Sequence, residues 1–349
     1  MSGQHPVWAL TIARLREFIR QPESLFWVYL FPILMVVVLG IAFRHQPVEV
    51  TQVDVVEQGD HASFTAPLSK EAGFETTLVS LEEARKRLRT GKTSLVVIAG
   101  SDGSADVEYL YDPQRPGSQA ARQAVDRQLQ ISAGRQDVLS SNDQIFDEPG
   151  GRYVDFLVPG LLGMSLMGGG LWGVGFAIVD MRIRKLLKRF MATPMRRTHF
   201  LLAMMGSRLI FMWPQIIVLL VFSYLFFDVR VFGNWGALAL VILLGAIEFG
   251  GIGLLVAARA RTLEAVSGLM NLVMLPMWTL SGIFFSYERF PEVVQPFIKW
   301  LPLTPVIDAL RGLMMEGVPL SSLGPELAIM TFWSVVPFAV ALVVFRWTD

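Results

Sequence analysis

Six long apolar segments divide the chain, and each is long enough to cross a membrane. A helix that crosses the hydrocarbon core needs about 20 residues at a rise of about 1.5 Å each. We predict spans at about 25–43, 154–179, 203–227, 237–257, 266–285 and 326–345. The first follows an amphipathic connector helix in residues 1–24 and precedes no small-residue cleavage site, so we expect a span and not a signal peptide.

A polar block, residues 44–150, separates the first two apolar segments and has a different periodicity. Alternating or short apolar runs predict strands in VEVTQVDVVEQ, FETTLVS, TSLVVIAG and ADVEYLYDP. Helices are predicted from the capping box of Ser80 and Glu83 to Gly91, and again within 118–139. The predicted fold class is therefore an α-helical membrane protein with six spans and a small inserted α/β domain.

Composition supports the membrane assignment and excludes several classes of protein. The chain is 53% hydrophobic and 17% charged, whereas soluble domains carry about 25% charged residues. Lys plus Arg equals Asp plus Glu, so nothing in the charge predicts a nucleic-acid partner. The sequence contains no cysteine, which excludes disulfides and thiolate metal sites.

No motif in the sequence predicts catalysis, a metal or a cofactor. The Gly91-Lys92-Thr93 stretch resembles the end of a phosphate-binding loop, but Lys86 stands where that motif needs a glycine. The histidines are scattered without zinc-site spacing, and Ser165 lacks the second glycine of a nucleophile elbow. We expect no catalytic, cofactor-binding or metal-binding residue and no enzyme activity in this chain.

Basic residues are concentrated on one side of the predicted spans. Seven Lys and Arg lie within residues 182–197, and others precede the first span and separate the fourth from the fifth. Cytoplasmic flanks carry such an excess. Both termini are therefore predicted to be cytoplasmic and residues 44–150 to be outside, in a multi-pass protein of a bacterial plasma or inner membrane.

The basic segment at about 181–193 is predicted to be an amphipathic helix. Its apolar positions follow helical spacing: Ile183, Leu186, Leu187, Phe190 and Met191. Pro194 limits the helix, because the residue before a proline disfavours helical geometry. Two interpretations stay open: an anchor on anionic lipid headgroups, or a docking helix for a cytoplasmic partner.

Inside the spans, one carboxylate and one pair of glycines are candidates for function. Glu248 lies near the middle of the fourth span, where an ionised carboxyl costs several kcal/mol unless it is paired or hydrated. It is predicted either to line a translocation path or dimer seam, or to be a hydrogen-bonded structural carboxyl. Gly169 and Gly173 are four residues apart, which lets a helix approach closely within one subunit or between two.

Residues 286–325 are too polar and proline-rich to span the membrane. Four prolines cut the region into short helical pieces: Pro291, Pro296, Pro302 and Pro305. A hairpin at about 286–316 that dips into the outer leaflet is predicted, and an ordinary external loop is the alternative. Asp308 and Arg311 lie three residues apart, so they are predicted to pair on one helix face.

Four stretches resemble permease subunits of type-2 ATP-binding-cassette (ABC) exporters, in particular the subgroup with a large extracytoplasmic domain after the first span. LREFIRQPESLFWVYLFPILMVVVLG is similar to the connector helix and first span of that family, and YVDFLVPGLLG to the start of its second span. LKRFMATPMRRTHFLLAMMGSRL resembles its cytoplasmic coupling helix, and LSGIFFSYERFPEVVQPFIKWLPLTPVIDALRGLM resembles its re-entrant hairpin. One departure is Lys-Leu-Leu-Lys at 185–188, where many members carry Gly-Thr-Leu-Glu.

The resemblance assigns roles to two groups of residues. The ATPase-coupling helix would contain Ile183, Leu186, Leu187, Lys188, Arg189, Phe190, Thr193 and Pro194. The re-entrant hairpin would contain Pro302, Pro305, Asp308 and Arg311.

The resemblance also implies an assembly and an activity. The chain would form half of an exporter, with a second copy or a paralogue, and ATP and Mg would bind in a separate cytoplasmic ATPase. Membrane lipids and a periplasmic adaptor are further candidate partners. The expected substrate is a hydrophobic or amphipathic small molecule or a lipid-like compound. The alternative is a membrane-anchored extracytoplasmic receptor or assembly factor without transport activity.

Overall fold

The computed structural model describes residues 6–43, 51–57, 65–68, 73–99, 107–135, 151–191 and 197–344. The chain forms two compact units, of which the smaller comprises His45–Phe146 and the larger comprises the residues on either side of it.

Helices dominate the described chain, and strands occur only in the smaller unit among the described residues. Up to residue 135 the elements are α1 (Pro6–Ile19), α2 (Pro22–Leu25), a π-helical turn (Phe26–Leu30), α3 (Phe31–Ala42), β1 (Thr51–Val56), β2 (Phe74–Val79), α4 (Leu81–Thr90), β3 (Leu95–Ala99), β4 (Val107–Leu110) and α5 (Pro116–Ser132). Beyond residue 150 they are α6 (Tyr153–Gly170), a π-helical turn (Leu171–Phe176), α7 (Ala177–Ile183), α8 (Leu186–Met191), α9 (Arg197–Phe227), α10 (Trp235–Ala257), α11 (Leu263–Leu280), a 3-10 turn (Tyr287–Arg289), α12 (Gln295–Lys299), α13 (Leu303–Arg311), a π-helical turn (Gly312–Glu316), a 3-10 turn (Leu320–Leu323) and α14 (Gly324–Val344).

Five helical segments in the described residues are long and apolar enough to cross a membrane. They are Tyr153–Ile183, Ala203–Phe227, Trp235–Ala257, Leu263–Leu280 and Leu320–Val344. The predicted first span is a shorter apolar helical segment, Phe26–Ala42. The segment that begins at Leu263 ends before the predicted residue 285, because Gly282 takes a left-handed φ of 84° and turns the chain.

Helix α10 lies at the centre of the larger unit, packed against α6, its following π turn and α14. The contact with α6 joins backbone to backbone. A Cβ atom on Gly253 would lie 2.4 Å from the carbonyl oxygen of Gly170, and a Cβ on Gly170 would lie 2.4 Å from the carbonyl carbon of Phe249. Only glycine fits at such a crossing, as in other membrane helix pairs that meet at small residues.

Three helical segments of the larger unit widen into π-helical turns, and the first has a covalent cause. Pro32 has no amide hydrogen, so the usual α-helical bond to the Val28 carbonyl cannot form. The Phe31 amide, next to it, donates to the carbonyl of Phe26, five residues back. The second turn, Leu171–Phe176, begins directly after Gly170. Such turns are frequent at functional sites.

The smaller unit is a four-stranded sheet in the order β2-β1-β3-β4. β1 is parallel to β2 and β3, while β4 is antiparallel to β3. Alternate residues of β1 and β3 pack on α5 on one face and on α4 on the other. Helix α4 begins at the Ser80 cap and ends at Gly91, where φ is 74°.

One buried ion pair lies on the α4 face of this sheet. The Arg87 Nε donates to the Asp54 Oδ2 at 2.8 Å, and the Asp54 side chain is 1% exposed. Burial raises the pKa of the Asp54 carboxyl, and the bond from Arg87 opposes that rise. The pair ties β1 to α4.

The close contact between α6 and α10 at Gly170 and Gly253 leads to a prediction about helix packing. Gly253→Ala should destabilise the larger unit by about 1–3 kcal/mol, because the added methyl group overlaps the Gly170 carbonyl. The measurement is the melting temperature of the detergent-solubilised protein, followed by gel filtration after heating. Gly268→Ala is the matched control, since a Cβ there meets nothing within 4 Å and alanine favours helix. Equal melting temperatures for the two variants would show that the crossing is not tight.

Candidate functional site

A cavity of about 900 Å³ lies within the larger unit, between the N-terminal helices and the helices α6–α7, α9 and α11. Its lining combines polar side chains, such as Gln215 and Asn271, with large aromatic ones: Trp27, Phe31, Trp172, Phe176, Phe211 and Trp278. The π-helical turns Phe26–Leu30 and Leu171–Phe176 line it, through Trp27 and Trp172. Its volume lies in the range of small-molecule sites, roughly 300–1,000 Å³.

The predicted glycine pair lines this cavity and packs against an arginine. A Cβ on Gly169 would lie 1.5 Å from Nη2 of Arg208, and one on Gly173 would lie 3.1 Å from its Cδ. The two glycines do leave room for a close neighbour, as predicted, but that neighbour is the Arg208 side chain of α9 and not a helix backbone. The close backbone approach is at Gly170, one residue further along α6.

Arg208 is a buried cation at the edge of the cavity. It is 9% exposed, and its Nη2 donates to the amide oxygen of Gln215 at 3.4 Å. The sequence analysis did not single it out. An arginine within an apolar span, facing a glycine pair on another span, is the signal that could have identified it.

Glu248 does not line the cavity. It is fully buried, and its carboxyl oxygens have no hydrogen-bond partner among the described residues. Leu244 and Gly251 share its helix face, and both contact α14: the Ser334 hydroxyl lies 3.5 Å from the Leu244 carbonyl oxygen, and a Cβ on Gly251 would lie 3.3 Å from Phe338. Glu248 is therefore buried in a helix that packs against α14, and its role in a path or dimer seam stays a prediction.

The basic segment is not the single amphipathic helix that was predicted. Helix α7 ends at Ile183, Lys185 takes a left-handed φ of 57°, and the short helix α8 then begins. Leu187 is 1% exposed and belongs to the hydrophobic core of the unit, so the prediction that it presents an apolar face to a partner is wrong. Leu186 packs partly against the same core.

The surface of this segment is formed by other residues. Ile183, Lys188 and Arg189 are exposed. The Phe190 side chain and residues Thr193 and Pro194 lie outside what the structure describes.

Arg182, which the sequence analysis did not single out, joins the basic segment to the end of α10. Its Nη1 donates to the carbonyl oxygens of Ala257 at 2.9 Å and Ala260 at 2.6 Å, and its Nη2 to that of Ala258 at 3.3 Å. The last carbonyls of a helix lack partners within it and attract cations. Arg182 thereby closes the C-terminus of α10.

The proline-rich region consists of short helices, as its prolines indicated, and Pro302 and Pro305 are buried at the start of α13. Asp308 and Arg311 lie on the same short helix, and the charge of each acts on the other, but the hydrogen bonds of Arg311 go elsewhere. Arg311 donates to the backbone carbonyls of Gly282 and Phe156, and its guanidinium lies 3.6 Å from the Phe156 ring centroid. Asp308 hydrogen-bonds with Tyr287.

Comparison with known proteins gives consistent matches. The family described as "ABC-2 family transporter protein" matches residues 22–343. The "Inner membrane transport permease YadH" of Escherichia coli (strain K12) is 26% identical over 207 residues, which cover 59% of this chain and 77% of that protein. "Nodulation protein J" of Rhizobium meliloti (strain 1021) is 32% identical over 106 residues, which cover 30% of this chain and 40% of that protein.

The hydrogen bonds of Arg311 lead to a second prediction, about the stability of the fold. Arg311→Ala removes charged hydrogen bonds to two carbonyls on different segments, so it should destabilise the protein by about 1.5–3 kcal/mol for each bond lost. The melting temperature in detergent should fall clearly. Arg289→Ala, which removes an exposed arginine from the same region, should leave it nearly unchanged. A similar melting temperature for both variants would show that the Arg311 hydrogen bonds do not stabilise the fold.

Proposed function

The chain belongs to the ABC-2 transporter family, and we propose that it is the membrane-spanning permease subunit of an ATP-driven exporter. The observation that carries the proposal is the family match over residues 22–343, which covers Phe26–Ala42, the five long apolar segments up to residue 343 and most of the residues that line the cavity. The family is described as a transporter family and the Escherichia coli relative is named a transport permease, so we assign the chain transport and not catalysis.

We propose six spans, with Phe26–Ala42 as the first. This segment has 17 residues, which at about 1.5 Å per residue reaches about 26 Å, close to the thickness of the hydrocarbon core. Its exposed apolar side chains include Val38 at 52% and Ile41 at 62%, which suit contact with lipid. The polar unit that follows it would be the extracytoplasmic domain, as in the subgroup that the sequence resembles.

The proposed orientation follows the basic residues. Arg182, Lys188 and Arg189 would lie on the cytoplasmic side, together with Arg259 and Arg261 between α10 and α11. Both termini would then be cytoplasmic, and the proline-rich region after α11 would form the re-entrant hairpin on the outer side.

A cytoplasmic ATPase is the proposed energy source, and ATP and Mg would bind there. The proposed docking surface is the exposed side of α7 and α8, with Ile183, Lys188 and Arg189 at its centre. Leu187 would not contact the ATPase but would hold α8 against the core of the larger unit. The basic side chains would pair with acidic groups of the ATPase.

A second copy or a paralogue would complete the path. The proposed contact surface is apolar and exposed on α11 and α14, where Leu272 is 68% and Val343 is 87% exposed. The substrate would be a hydrophobic or amphipathic small molecule, or a lipid-like compound, because the cavity lining combines polar with large aromatic side chains. A receptor or assembly factor without transport is the alternative, and it predicts no ATP-dependent movement of substrate.

Orientation is tested by cysteine labelling in this cysteine-free chain. Ala124→Cys, on an exposed position of α5, should react with an impermeant thiol reagent in spheroplasts. Arg261→Cys, also exposed, should react only after permeabilisation. The reverse labelling pattern would contradict the proposed orientation and the assignment of α8 to the cytoplasm.

Coupling is tested by charge reversal. Lys188→Glu with Arg189→Glu should release the ATPase during purification and abolish its substrate-stimulated hydrolysis, because like charges at such a contact cost several kcal/mol. Arg85→Glu with Lys86→Glu is the control, since both residues are exposed and lie in the smaller unit. If the reversed pair at 188 and 189 kept a fully active ATPase, only the lipid-anchor interpretation of the basic segment would survive.

A further inference from the structure

Arg208 is a buried cation without an acidic partner among the described residues. Its one hydrogen bond to protein there is to the neutral amide oxygen of Gln215. Of the acidic residues around the cavity, Asp180 is paired with Arg184 at 2.9 Å, and Glu23 is exposed on α2. A cation inside a span normally pairs with an anion or faces a hydrated path. The protein therefore leaves this charge available to a ligand in the cavity.

Helices α6 and α9 together determine where the Arg208 guanidinium lies. Gly169 and Gly173 leave the space that it occupies, since a methyl group on Gly169 would overlap it. Arg208 lies five residues after Ala203, where the apolar stretch of α9 begins, which is about 8 Å along the helix. That depth is close to the headgroup region of one leaflet.

The rest of the cavity suits an apolar body. Aromatic rings from α3, from the π-helical turns at 26–30 and 171–176 and from α11 form much of its apolar lining, including Trp27, Trp172 and Trp278. An inorganic anion would use none of this surface, while a neutral apolar molecule would leave Arg208 unpaired. Arg14, at the N-terminal side, is the other half-buried cation that lines the space.

We propose that this cavity binds an amphipathic acid, with its anionic group held by Arg208 and its apolar body against the aromatic side chains of the lining. The proposal rests on the proposed function in one respect, namely that the cavity belongs to the transport path. The anionic group is a carboxylate or a phosphate, on a free amphiphile or on an anionic membrane lipid. A guanidinium binds either group through paired, charge-assisted hydrogen bonds.

The test uses photolabelling of the full-length chain in phosphatidylcholine nanodiscs. The probe is palmitic acid carrying a diazirine and an alkyne, and its methyl ester is the uncharged reference. Wild type should be labelled by the acid in preference to the ester. Arg208→Gln should reduce acid labelling about tenfold, the loss expected for a charged hydrogen bond, and leave ester labelling unchanged. Unchanged ester labelling shows that the cavity is intact.

Further variants separate charge from fold. Arg208→Lys should keep part of the acid preference, because the charge remains. Gly169→Ala should reduce it, because the methyl group displaces the guanidinium. Gly206→Ala is the control on α9, since a Cβ there meets nothing within 4 Å. Equal labelling by acid and ester in wild type, or an unchanged acid preference in Arg208→Gln, would overturn the proposal.

Competition identifies the source of the anion. Phosphatidylglycerol in the nanodisc should suppress labelling if the occupant is an anionic membrane lipid, and should leave it unchanged if the occupant is a free acid. Suppression by millimolar inorganic phosphate would overturn the requirement for an apolar body. Labelling needs no ATPase, so an Arg208-dependent acid preference without ATP-driven transport would keep the binding site and contradict only the proposed function.

Discussion

The crossing of α6 over α10 is the contact on which the larger unit depends. The Gly170 carbonyl lies where the Cβ of any residue at 253 would be, so the two helices are held at backbone distance. Successive residues of a helix point about 100° apart, so fixing Gly170 against α10 turns Gly169 towards α9. The same crossing therefore buries the central helix and opens the surface on which the Arg208 guanidinium lies.

Three arginines of this unit occupy different kinds of site. Arg182 and Arg311 both donate to backbone carbonyls at places where a helix ends and its own hydrogen bonds run out. Arg208 lies beside the cavity, and its hydrogen bond among the described residues goes to the Gln215 side chain. The first two arginines therefore hold backbone segments together, whereas the third lies at the cavity.

The apolar segments and the turn residues were predictable from sequence, because span length and helix capping are local properties. Ser80 and Gly91 bound α4 as expected. The partners of individual residues were not predictable. Leu187 has the spacing of a residue on the apolar face of an amphipathic helix. The left-handed Lys185 changes the direction of the following helix, and the Leu187 side chain is buried in the core of the unit. Arg311 is three residues from Asp308, yet a carbonyl 29 residues away takes its hydrogen bond, which no local spacing reveals.

The Arg182 contacts have a mechanical consequence. Because one guanidinium holds the carbonyls of Ala257, Ala258 and Ala260 together, α7 and the turn before α11 must move as one body. Helix α11 carries Met274 and Trp278 in the cavity wall. A displacement of the basic segment would therefore also displace α11. Because Met274 and Trp278 lie on that helix, the width of the cavity beside Arg208 would change.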